Sequence, residues 1–232
     1  MTAGMLLAAK STPISNSVEI HHITATSAPA SIDDDQDIQD SSKDILSILE
    51  SKPELFSNWD AILVACFSVH PLVPKLSSRL SIPVTGIFEA STLTAMSLLG
   101  PLEKWGVVTT GKFWEDHLTN GVYGFLGVEN NSKNTRFAGV FSSRLTAGDF
   151  HTVSPTEVKE KLSLATRQLL ASGNVTCVVM GCGGMAGLED IIRSTAVEVY
   201  GESRAKGLYI IDGVKAGIMQ LHQSINSVRI FR

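Results

Sequence analysis

Residues 61–67 read AILVACF, an unbroken apolar run between Asp60 and Ser68. A run of that length fits an interior parallel strand covered on both faces. A second buried run, VTCVVM at 175–180, leads into GCGGMAG. Cys66 lies at the end of the first run and Cys182 just past the second.

Outward from these runs, strand and helix alternate. Strands are predicted over 83–88, 105–109, 137–142 and 208–211. Helices are predicted over 71–80, 89–99, 112–126, 154–172 and 188–199, with a last one from Asp212 or Gly213 to Ser224. Ser154 and Pro155 suit the N-cap and first position of the 154–172 helix. Upstream, residues 1–12 have helix-forming composition and Pro13 ends them. Ser17 to Ala25, with Val18, Ile20 and Ile23 between polar neighbours, predicts an edge strand. The Ser- and Asp-rich stretch 27–44 reads as a loop running into a helix marked by Ile45, Leu46, Ile48 and Leu49, with Pro53 as its stop.

Repeated strand–helix units imply an α/β fold whose ligands collect at the C-terminal ends of the strands. The equivalent placement of Cys66 and Cys182 points to two pseudo-symmetric lobes with parallel, flavodoxin-like sheets and a site in the cleft between them. The expected division is 1–102 with 206–232 for the first lobe and 103–205 for the second.

Composition narrows the function. With 44% hydrophobic and 18% charged residues, 232 residues can bury a substantial core. A net charge of −4 speaks against nucleic acid and against an anionic membrane surface, leaving a small-molecule substrate as the expected partner. No apolar stretch approaches the roughly 20 residues of a membrane span. The three cysteines, 66, 177 and 182, form neither a disulfide framework nor a zinc-ligand spacing, so a cytoplasmic chain without a metal is expected.

Inverting a carbon centre by proton transfer needs a base on one face and an acid on the other. Two thiols can supply both. Each cysteine precedes a predicted helix, whose N-terminal amides are expected to lower the thiol pKa and populate thiolate at neutral pH. Gly183 and Gly184 can turn amides toward a substrate oxygen, and the segment after Cys66 can do likewise. A lone cysteine at a strand end is more often a small buried hydrophobe, and Cys177, inside its strand, keeps that reading.

ACFSVHPLV around Cys66, GIFEAS at 86–91, VVTTGKFW at 107–114 and VVMGCGGMAGL at 178–188 together resemble the hydantoin and allantoin racemases of the Asp/Glu racemase superfamily, in particular the fungal Dcg1-like branch. The resemblance covers nearly the whole chain. It implies a cofactor-independent racemase with Cys66 and Cys182 as acid and base. It further implies that Ser68, Val69, Thr109, Thr110, Gly183 and Gly184 hold substrate oxygens, that Glu89 borders the site, and that the chain forms a homo-oligomer. His70 is read as shaping the turn before Pro71. The family begins with a buried strand, whereas this chain starts with MTAGM, which resembles the helix after that strand; a first lobe short of one strand is therefore expected.

The favoured substrate is a cyclic ureide, a 5-substituted hydantoin or allantoin, whose amide-flanked C–H is acidic. The same fold could serve an open-chain amino acid or diacid if an arginine or lysine faced the cleft. An inactive binding protein and a redox sensor are the other readings; the last requires sulfurs close enough to bond.

Overall fold

Apolar runs flanked by turns and amphipathic segments cannot bury their surfaces alone, and the chain resolves this by stacking helices on two parallel sheets. The computed structural model describes residues 2–128 and 136–232. In chain order come α1 (Thr2–Lys10), α2 (Asp35–Ser51), β1 (Ile62–Val64), α3 (Leu72–Ser77), β2 (Val84–Gly86), α4 (Ile87–Leu98), β3 (Lys104–Thr109) and α5 (Phe113–Leu126). Then follow β4 (Phe137–Ser142), α6 (Asp149–Thr152), α7 (Pro155–Ala171), β5 (Val175–Met180), α8 (Glu189–Tyr200), α9 (Glu202–Lys206), β6 (Tyr209–Asp212) and α10 (Gly213–Phe231).

Among the described residues one sheet has two strands, β1 beside β2, and the other has four in the order β4-β3-β5-β6. Every pairing is parallel. The period of two along each strand divides the second sheet's side chains between two cores. Trp105, Val107, Cys177 and Val179 join a cluster shared with α4, α5 and α10, while Val108, Val178 and Met180 pack with α7 and α8; Val175 joins the latter because the β3–β5 register shifts between it and Cys177. Cys177 is thus a packing residue. β1 meets α2 and α3 through a third cluster containing Val64, Leu72 and Leu76.

The chain crosses between the sheets twice. It leaves the first after α4 and returns through α10, which packs on α4, α1, β1 and β2. β6, placed by the sequence division with the first lobe, pairs with β5 in the second sheet, so the return falls after Asp212. The side chain of Asp212 marks the change, accepting a hydrogen bond from Lys215 N–H as the N-cap of α10.

Two local expectations are corrected. No strand forms over 17–25: a short 3-10 turn at Ser15–Ser17 is followed by irregular chain, because alternating polarity needs a neighbouring strand and, among the described residues, none pairs with it. The stretch read as a loop to residue 44 is helical from Asp35. Asp34 caps it by accepting from Asp37 N–H at 2.9 Å, Asp35 and Asp37 complement the helix dipole in the first turn, and Ile38 and Ser42 extend the buried stripe.

Gly106 lies in central strand β3 where the register with β4 shifts. A methyl group there would collide with the Leu169 side chain and sit 2.9 Å from the Gly139 carbonyl oxygen. The backbone of β4 cannot move aside without disturbing the ladder. Gly106→Ala is therefore expected to cost about 1–3 kcal/mol, read as a lower urea midpoint with unchanged slope.

Candidate active site

Both cysteines occupy the same offset, the second residue past the end of a parallel strand: Cys66 after Val64 and Cys182 after Met180. Each loop then folds back on its own sulfur. The Ser68 hydroxyl donates to Cys66 Sγ at 3.3 Å, and Gly184 N–H donates to Cys182 Sγ at 3.3 Å. The two loops come from different sheets and meet: a methyl group on Gly183 would lie 3.7 Å from the Ala65 carbonyl oxygen and 2.6 Å from Met5 Sδ of α1. Charge on Cys66 would add to the rise of the Cys182 pKa. All three cysteines are free.

The electrostatics depart from the sequence expectation of activated thiolates. Burial pushes Cys66 up to about 11, against the Ser68 hydrogen bond and with help from the Glu89 charge. Burial likewise pushes Cys182 up to about 12, opposed by Gly184 N–H and aided by Cys66 and Asp33. The helix effect fails for a structural reason: α3 starts only at Leu72, and Cys182 is followed by a three-residue 3-10 turn rather than a long helix. Desolvation wins, and both thiols are protonated at neutral pH.

The other expected site residues divide into two groups. Ser68 N–H bonds the Cys66 carbonyl, and Val69 N–H donates to His117 Nε2 at 3.3 Å, so both amides are held within the protein. Thr109 is buried and donates its hydroxyl to the Gly181 carbonyl at 2.8 Å, tying the end of β3 to the Cys182 loop. Gly184 N–H serves Cys182 itself. By contrast, Gly183 N–H opens the 3-10 turn, where no intrahelical acceptor exists. Thr110, next to Thr109 in sequence, is buried, and its carbonyl accepts from Arg144 N–H at 3.0 Å. Glu89 stands in the first turn of α4, folded over Gly86, with Oε2 buried and unpartnered and its pKa raised by burial.

Three groups at the site were not singled out from sequence. Asp33 bears on Cys182 through its charge, Asp35 lies 3.6 Å from His117 Nδ1, and His117 holds the loop after Cys66. Periodicity hides them, since a histidine on an amphipathic helix and an aspartate before one look like ordinary surface and cap residues. His70 is a structural group: its Nδ1 accepts from Leu72 N–H at 3.2 Å, which leaves the proton on Nε2, 3.1 Å from Ser41 Oγ of α2. A separate cavity of about 330 Å³, lined by Glu103, Thr176, Arg204 and Tyr209 among others, lies at the opposite, N-terminal ends of β5 and β6. No helix among the described residues is long and apolar enough to cross a membrane.

Comparison with known proteins matches residues 1–221 to the Asp/Glu/hydantoin racemase family. An uncharacterized protein of Schizosaccharomyces pombe is 32% identical over 172 residues, 74% of this chain and 65% of that protein. Protein DCG1 of Saccharomyces cerevisiae is 26% identical, over 75% of this chain and 68% of its own length. The chain thus spans about two thirds of these relatives. Among solved structures, an allantoin racemase from Klebsiella pneumoniae superposes with a TM-score of 0.75 at 20% identity, covering 99% of this chain and 83% of that one. An allantoin racemase from Pseudomonas fluorescens gives 0.75 at 21%, covering 99% and 87%.

Burial lowers the His70 pKa from 6.5 to about 4, assisted by Lys75. The folded state therefore binds fewer protons than the unfolded chain, and stability is lost as pH falls from 6.5 toward 4. The loss should reach on the order of 3 kcal/mol in urea titrations. His70→Asn, which keeps an acceptor for Leu72 N–H, should flatten that acid limb.

Proposed function

Since this chain belongs to the Asp/Glu/hydantoin racemase family, we propose that it inverts the C–H stereocentre of a neutral cyclic ureide, a 5-substituted hydantoin or allantoin, by proton transfer between Cys66 and Cys182. The observation that carries the reading is the pair of thiols, one from each sheet, placed at matching strand ends on loops that meet at Gly183 and Ala65. One cysteine, as thiolate, takes the proton from one face of the carbon; the C–H bond breaks, an S–H bond forms, and the electron pair moves onto the adjacent carbonyl oxygen. The other cysteine, as thiol, gives its proton to the opposite face and is left as thiolate. The reverse reaction exchanges their roles. No cofactor enters this scheme.

Charge supports a neutral substrate. The ionic groups that bear on the thiols are carboxylates, Glu89 on Cys66 and Asp33 on Cys182, and both would repel a second carboxylate on a diacid. A ureide ring offers N–H groups instead, which the unpartnered Glu89 Oε2 is suited to accept. Gly183 N–H and the Thr110 hydroxyl are the donors suited to the developing enolate oxygen. Two buried thiols of high pKa make strong bases once ionised, with a small ionised fraction at neutral pH as the cost.

Two measurements test this reading. Single-enantiomer allantoin or a 5-substituted hydantoin should lose optical rotation and gain deuterium from solvent; Cys66→Ser and Cys182→Ser should each slow racemisation by about 10²–10⁴-fold. Racemisation of aspartate or glutamate but of no ureide would overturn the substrate assignment. Because the thiol pKa values lie above neutrality, kcat/KM should climb about tenfold per pH unit from pH 7 to about pH 9. A flat profile over that range would contradict thiolate as the base.

A further inference from the structure

The loop that carries Cys66 is docked onto the other lobe along one face of α5. His117 and Gly121, four residues apart and so on the same face of that helix, both receive Val69. Val69 N–H donates to His117 Nε2 at 3.3 Å. The Val69 side chain sits against Gly121 so closely that a methyl group there would collide with Val69 Cγ2 and lie 3.1 Å from Phe88 Cζ. An acceptor and a notch thus grip one residue, three positions after Cys66.

The acceptor role fixes the ring's protonation state. With Val69 N–H pointing at Nε2, that nitrogen carries no hydrogen, and in the neutral ring the proton is on Nδ1. Nδ1 faces the Asp35 carboxylate, 3.6 Å away at the start of α2, which favours that tautomer. The imidazole is held from the sides by Phe113 and Trp114, at centroid distances of 5.2 and 5.4 Å. Groups of α2 and α5, none of them in the Cys66 loop, thus surround the ring and favour its orientation.

We propose that His117 is a positioning residue for Cys66: through Val69 it holds the loop so that the Ser68 hydroxyl stays on Cys66 Sγ and the thiol keeps its aim across the gap between the lobes. This rests on Cys66 being an acid/base group, but the docking itself is independent of the reaction. The Val69 side chain keeps its seat against Gly121 when His117 is replaced, and the chain is expected to fold without the bond.

The test compares the whole chain with His117→Phe, which keeps a ring but no acceptor, and His117→Gln, whose side-chain oxygen can accept from Val69 N–H. Amide exchange is followed without substrate, and racemisation kinetics are followed separately. In His117→Phe the Val69 amide should exchange about tenfold faster, with amides of the core of β5 unchanged, and kcat should fall more than KM rises. His117→Gln should restore most of both. Unchanged Val69 exchange in His117→Phe, or a Gln variant indistinguishable from the Phe variant, would overturn the proposal. Altered exchange in a chain that racemises no ureide would overturn the proposed reaction while supporting the docking.

Discussion

The core shared by the two sheets is the constraint on which the rest depends. Phe67, Ile87 and Phe88 enter it from the first lobe, and Trp105, Trp114 and Leu118 from the second. Phe67 directly follows Cys66, and it packs edge-on against Phe88 with ring centroids 5.7 Å apart. Dense packing of this kind leaves little freedom for the lobes to shift, so the two cysteine loops are held in register by side chains that take no part in chemistry.

That same burial sets the electrostatic character of the site. Removing water from Cys66 and Cys182 raises both pKa values, and the neighbouring Glu89 and Asp33 carboxylates reinforce the effect. The hydrogen bonds from Ser68 and Gly184 act in the other direction and are too weak to reverse it. Burial therefore keeps both sulfurs in the thiol form rather than as standing thiolates. A thiol that is hard to ionise is also slow to oxidise, because the reactive form is the thiolate. The redox-sensor reading weakens on that ground.

Most elements could be read from the sequence because their signals are local. Continuous apolar runs at 61–67 and 175–180 became β1 and β5, shortened in the first case to three residues. Ser154 and Pro155 started α7 as their chemistry requires, the Ser154 hydroxyl accepting from Glu157 N–H at 3.2 Å. The failures have different causes. Alternation over 17–25 describes a strand only if a partner edge is present, and the acidic stretch before residue 44 describes a loop only if its aspartates do not cap a helix. The first condition is non-local; the second is a local cap, Asp34 accepting from Asp37 N–H, hidden among five acidic or serine candidates in one run.

The sequence by itself determined the parallel α/β class, the two cysteines at strand ends and the packing role of Cys177, because apolar period, turn residues and helix caps act over a few neighbouring positions. Tertiary structure alone decided that the thiols are protonated, that the Ser68 and Val69 amides are turned inward, and that His117 and Asp33 stand at the site. Those properties come from desolvation, from the turn of the Cys66 loop that returns Ser68 N–H to the Cys66 carbonyl, and from contacts between residues far apart in the chain, as between Val69 and His117. None leaves a periodic trace along one segment.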